Sequence, residues 1–374
     1  MNNDIILEKI SYHTLIPLGI PAHKSTTTSN ATIPFHYSIS GTVPDFIDFE
    51  IQTKGTTLFK ERVDKTKLSV GMQNWEWDGF NSNGIFSSKA LKENPLELVA
   101  SAHFGTKVVS TKQTFEFEHA QYSWVDIDID KNTKKIDVEL RLNIKDGGDH
   151  GINKLPPKVV TDDPAYKNLP EATVKHQRVR SFTALKMLAA TGIKKYWSRA
   201  ISLSSGDIYQ LTTDVTFATK YAMDDIALVY NTNNNWVRSS NPGRIRGALS
   251  LFGNLIARER IAYNVGFVKA SQGWFLINTQ SADNDFQHTA AHELGHEILS
   301  AYGGDTYSYT HRGSSTITQA TKSVANGGFV FPAQGEIDLM KYYNGSIGGA
   351  YYRRSVASNY DVRSLVYLGG VEIK

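Results

Sequence analysis

Five consecutive residues, His292-Glu293-Leu294-Gly295-His296, set two imidazoles four positions apart with a carboxylate beside the first. On an α-helix, positions i and i+4 lie on one face, so both rings can aim at a single ion. Two neutral imidazoles and a third ligand leave one position on zinc for water. The metal draws the pKa of that water towards neutrality, and Glu293 stands ready to take its proton during attack on a carbonyl. The chain has no cysteine, so any metal must be held by histidine and oxygen donors rather than thiolates.

The surrounding sequence predicts a helix. Phe286, Ala290, Leu294, Ile298 and Ala301 recur every three or four residues as an apolar stripe beside the histidine face. Asp283 and Asp285 are N-terminal capping candidates, and Gly303-Gly304 closes the helix. Just upstream, Ile261 to Lys269 and Gly273 to Asn278 read as a hairpin turning at Ala270-Ser271-Gln272. Leu299 and Tyr302 occupy the places where a motif with a third histidine would continue, which excludes that branch. Three third ligands remain: Asp305, His311 and Glu336. Glu336 is the better chemical choice. Its spacing to Leu339, Met340 and Tyr343 predicts a second helix, and an anionic oxygen balances part of the ion's charge. His311, after Tyr307 and Tyr309, has two further readings: an oxyanion donor, as either tyrosine could also be, or a residue ordering the Ser314-Ser315 loop.

The block from His292 through Tyr307-Ser308-Tyr309-Thr310-His311-Arg312-Gly313-Ser314-Ser315 to Glu336-Ile337-Asp338-Leu339-Met340-Lys341-Tyr342-Tyr343 resembles a known family. It is similar to the zinc metallopeptidase toxin domains carried by, or associated with, spike proteins of bacterial type VI secretion systems. The resemblance implies a zincin-like domain over residues 171–374, with Zn2+ held by His292, His296 and Glu336 and Glu293 as general base; His311 and Tyr309 are the catalytic candidates beside it. It further implies a peptide substrate in protein or peptidoglycan, a secretion spike and an immunity protein as partners, and delivery into a target cell without a cleaved signal peptide. A spike domain, present in fused members, is missing from this sequence.

The rest of the chain must position that site. Its 374 residues suffice for two or three domains, and 40% hydrophobic with 21% charged residues is ordinary globular composition. A net charge of +3 gives no support for nucleic-acid binding, and the basic cluster Lys175 to Arg199 reads as a solvated helix face. Met1 to Ile20 lacks the basic leader and apolar core of a Sec-type signal, and no apolar run is long enough for a membrane helix. Residues 1–145 alternate as strands do, most clearly from Lys135 to Ile144, where Ile136, Val138, Leu140, Leu142 and Ile144 share a face. Trp75-Glu76-Trp77-Asp78-Gly79-Phe80-Asn81-Ser82-Asn83-Gly84-Ile85-Phe86, a strand ending in Trp-Asp-Gly followed by a polar turn and a second Gly, resembles a hairpin of immunoglobulin-like domains in the flagellar hook-capping protein and in secreted bacterial proteins. Its two tryptophans serve either packing or the binding of a sugar or partner.

The predicted fold is therefore α+β: an N-terminal β-sandwich (immunoglobulin-like) over 1–145, a linker over 146–170, then the zincin-like domain. Within the last, Ala172 to Ala190 reads as a helix closed by Gly192, Ile193 to Leu203 as a short second helix, and Asn231 to Pro242 as a polar loop. A rival function, from the β-rich first half and its aromatics, is an adhesin or glycan-binding protein whose zinc is structural.

Overall fold

The computed structural model describes residues 3–27, 30–152, 154–156, 158–169, 178–240, 260–271, 273–310, 321–344 and 350–374, apart from the side chains of residues 159, 224, 225, 309 and 310. The chain forms two compact units that interleave in sequence, where a single break at 146–170 was expected. One comprises Met1–Glu139, Ala200–Leu211 and Arg363–Lys374; the other comprises Leu140–Arg199 and Thr212–Val362.

In the first unit, alternation becomes burial. Ile33, Phe35, Tyr37 and Ile39 are buried along the strand Ile33–Ser40, as are Ile47, Phe49 and Ile51 along Phe46–Thr53. Ile33–Ser40 lies between Asp4–Leu7 and Gly71–Trp77 in an antiparallel sheet. A second antiparallel sheet runs Thr56–Asp64, Phe46–Thr53, Leu96–Phe104, Lys107–Phe115. Rings from the two sheets meet: Trp75 stacks on Phe49 with centroids 4.8 Å apart, and Phe35 lies 5.5 Å from Phe115. Trp75 and Trp77 are both buried, their indole N–H groups donating to Glu61 and to the Phe80 carbonyl, so both serve packing.

The second unit is built on a mixed sheet. Residues Leu142 to His150 pair in parallel with Met223–Asn235, which pairs in parallel with Arg260–Ala270; Gly273–Ile277 closes that edge as an antiparallel hairpin partner. Two helices accompany it, Phe182–Trp197 and Thr279–Thr310. The first starts at Phe182, where Ser181 caps it, its Oγ accepting from Ala184 N; residues 172–177 of the predicted helix lie outside the described residues. It also runs through Gly192, which serves close packing rather than termination. A Cβ there would sit 2.1 Å from the Gln287 carbonyl oxygen of the other helix.

The expected fold class is overturned. Among the described residues β structure predominates, 43% strand against 24% helix, in several sheets with few helices, and no helical zincin domain is seen among them after the N-terminal region. The strand Lys135–His150 runs past the hydrophobic alternation into the expected linker, and Met223–Asn235 extends into the expected Asn-rich loop. Ladder bonds from a neighbour on each side satisfy the backbone of Met223–Asn235, so polar side chains are tolerated there. Asn231 and Asn264 face each other in register, both buried, with Asn231 Nδ2 donating to Asn264 Oδ1 at 2.7 Å.

Candidate active site

The helix Thr279–Thr310 carries the histidines, and its start is set by a residue other than the predicted aspartates. Asn278 Oδ1 accepts from Ser281 N at 2.8 Å, which caps the first turn. Asp283 instead accepts from Arg180 and from the Tyr263 hydroxyl, and Asp285 accepts from the Tyr352 hydroxyl. Phe286, Ala290, Leu294 and Ile298 are fully buried, which fixes the rotation of the helix and turns His292 and Glu293 into a cleft of about 350 Å³. Asp285, His288 and Tyr342 line the same cleft.

Gly295 sits between the histidines for a packing reason. A Cβ there would lie 2.6 Å from Met340 Sδ and 2.7 Å from Trp197 Cζ2. Its absence lets the segment around Met340 press against the helix, and the Leu339 carbonyl accepts from His292 Nδ1 at 2.8 Å. The Nδ1 of His292 therefore carries the proton and Nε2 presents a lone pair. Burial holds the His292 pKa below its ordinary value, against a smaller upward effect of the Leu339 hydrogen bond, so the ring is neutral at neutral pH.

His296 is oriented by the same logic. The helix breaks at Gly304, whose φ of 80° and ψ of 167° lie outside helical space, and this folds the chain back on itself. Twelve residues of straight helix would separate His296 and Ser308 by roughly 18 Å. Instead His296 Nδ1 donates to the Ser308 carbonyl and Oγ, each at 3.1 Å, while Ser308 Oγ donates to the His296 carbonyl at 2.7 Å. Both rings thus donate from Nδ1, which leaves Nε2 as the nitrogen each would turn to a metal.

The rings of His292 and His296 lie with centroids 4.9 Å apart and planes at 89°. Two imidazoles on one tetrahedral zinc, each about 2.05 Å from it, would put their centroids roughly 5 Å apart. The two histidines therefore fit a shared ion.

The predicted third ligand does not join them. Glu336 is 64% exposed at its side chain, pairs with Arg199 at 3.1 Å, and lines a different cavity from His292 and Glu293. Its expected helix is absent: Ile337–Asp338 pairs in parallel with Ser355–Val356, and Leu339 N continues the ladder to the Val356 carbonyl. Asp305 accepts a hydrogen bond from Ser300. His311 lies outside the described residues, as does the side chain of Tyr309. Among the described residues, no three His, Cys, Asp or Glu side chains are grouped to hold a metal.

Three side chains of the cleft were given no part in the site from sequence. Tyr342 donates its hydroxyl to His292 Nε2 at 3.2 Å. Burial, and secondarily the charge of Glu293, raises its pKa, which marks the carboxylate as a close neighbour of the phenol. His288, one turn before His292, is buried against Tyr196, Tyr351 and Tyr352. Its signal was readable: the four-residue spacing of His292 and His296 extends back to His288. Asp285 is the third, with its carboxyl pKa raised by burial.

No family model matches the chain, and no curated protein matches it. Among solved structures it is similar to three bacterial β-glucuronidases. With the Bifidobacterium dentium enzyme, complexed with coumarin-3-O-glucuronide, it shares 12% identity at a TM-score of 0.16, over 63% of this chain and 31% of that one. With the Parabacteroides merdae enzyme the values are 10% and 0.20, over 78% and 33%. The Ruminococcus gnavus apo enzyme gives 8% and 0.17, over 78% and 35%. The chain spans about a third of the length of each. At these TM-scores the likeness carries no conclusion about fold or activity.

Proposed function

We propose that this chain is a zinc-dependent peptidase. The observation that carries the reading is the matched orientation of His292 and His296, each with Nδ1 donating to a backbone carbonyl, with His292 and Glu293 lining one cleft. A zinc ion held there supplies Lewis acidity and a water of lowered pKa. His292 and His296 are held in orientation by the hydrogen bonds from Nδ1 to the Leu339 and Ser308 carbonyls. Glu293 takes the proton of the attacking water as it adds to the peptide carbonyl, then passes it to the leaving amine. Tyr342 and His288 line the same cleft as the carboxylate.

The zinc-loaded protein should cleave unfolded protein or peptidoglycan stem peptides, and Glu293→Gln should lower the rate by about 10²- to 10⁴-fold with zinc content unchanged. Undiminished cleavage by that variant would overturn the assignment. As a delivered bacterial toxin, the role implied by the resemblance, the wild type should arrest the growth of cells that produce it. The same variant should be harmless, and equal toxicity of the two would separate any toxic action from peptidase chemistry.

A further inference from the structure

We propose that the phenolic oxygen of Tyr342 is the third protein donor of the metal site, in the role first assigned to Glu336. This deepens the peptidase reading and rests on it. Tyr342 Oη stands 3.2 Å from His292 Nε2. Two donors about 2.0–2.1 Å from one tetrahedral zinc are separated by roughly 3.3 Å. The hydrogen bond thus has the separation of two ligand atoms with the ion removed from between them, just as the 4.9 Å between the His292 and His296 rings does.

The backbone fixes this oxygen in place. Ile337–Asp338 is held on Ser355–Val356, and Tyr343–Asn344 pairs with Phe329–Val330, so the turn bearing Tyr342 is tied at both ends. Within it Met340 N donates to Asp338 Oδ1 at 3.0 Å, and the Tyr343 hydroxyl accepts from Asp338 N at 3.0 Å. Leu339, three residues before Tyr342, holds the far nitrogen of the same imidazole. One short segment therefore sets the tautomer of His292 and places an oxygen on its metal-facing side. The acidic alternatives named from the sequence are committed elsewhere, Glu336 to Arg199 and Asp305 to Ser300. A phenol bound to a divalent ion gives its proton to solvent and binds as the phenolate, and its charge balances the ion as a carboxylate would.

The test uses the full chain and the metals themselves. Binding of Zn2+ in weakly buffered solution should release one more proton from the wild type than from Tyr342→Phe. Cu2+ bound to the wild type should show a phenolate-to-copper charge-transfer band that this variant lacks. Tyr342→Phe, which removes only the hydroxyl, should keep its thermal melt without metal yet bind Zn2+ at least about tenfold more weakly. Unchanged affinity, proton release and copper spectrum in Tyr342→Phe would overturn the assignment and leave the peptidase reading intact. If the wild type binds neither ion, or if His292→Ala binds as tightly as wild type, the peptidase reading itself fails and this one with it.

Discussion

At the scale of single residues, the site is a set of imidazoles whose protonation is dictated by burial. His288 shows this most strongly. Burial, then the neighbouring charges of His292 and Lys195, pushes its pKa down to about 3 from the usual 6.5. A histidine whose folded pKa is depressed binds its proton more readily when unfolded, so it costs stability as pH falls below 6.5, and the cost levels off near pH 3. Asp285 acts in the opposite sense: its carboxyl pKa is raised by burial, so its contribution declines as pH rises above 3.8. The two overlap, and a difference measurement separates them. Across the window from pH 6 to 4, His288→Gln should remove about 1.4 kcal/mol per pH unit from the slope of the metal-free wild type, read by urea unfolding. Parallel slopes for the two proteins would show that His288 is not titrating as its burial demands.

At the scale of elements, two glycines decide whether the histidine helix can sit where it does. Gly192 brings the helix Phe182–Trp197 against the Gln287 backbone, and Gly295 admits Met340 and Trp197 beside the histidines. Gly192→Ala meets backbone that cannot swing aside, so a loss of about 3 kcal/mol is expected in chemical unfolding. Gly295→Ala meets the end of the flexible Met340 side chain as well as Trp197. Its loss should be smaller, about 1–2 kcal/mol, and partly restored in combination with Met340→Ala. A Gly192→Ala protein as stable as wild type would mean that the two helices are spaced more widely than the structure has them. Much of this element was legible. Of the predicted apolar stripe, Phe286, Ala290, Leu294 and Ile298 form the buried face and Ala301 is only half-buried, since period 3.6 maps directly onto one side of a helix. Helix ends were less so, because Asn278 and Ser181 act through single hydrogen bonds that no periodicity records.

At the scale of the whole molecule, the two units share the chain in alternating pieces, so neither corresponds to one continuous stretch of sequence. A fragment of residues 171–374 would lack the Leu142 to His150 strand that pairs with Met223–Asn235 and would leave that ladder open. It should therefore fail to give a cooperative melt by circular dichroism, whereas the full chain should give one. A sharp, reversible transition in the fragment would show that the sheet of the second unit does not need its first strand.

Periodicity by itself determined that the first 145 residues are mainly short strands, that His292 and His296 share a helix face, and that Glu293 stands beside them. Each of these depends only on neighbours within a turn or a pleat. The tertiary structure alone decided what lies across from the histidines. Glu336, Leu339 and Met340 fall at helical spacing, yet the parallel pairing of Ile337–Asp338 with Ser355–Val356 draws the segment out straight. That extension carries Glu336 away to Arg199 and brings the Leu339 carbonyl and the Tyr342 hydroxyl to opposite sides of one imidazole. Strand pairing of this kind is a contract between distant residues, and local pattern does not contain it.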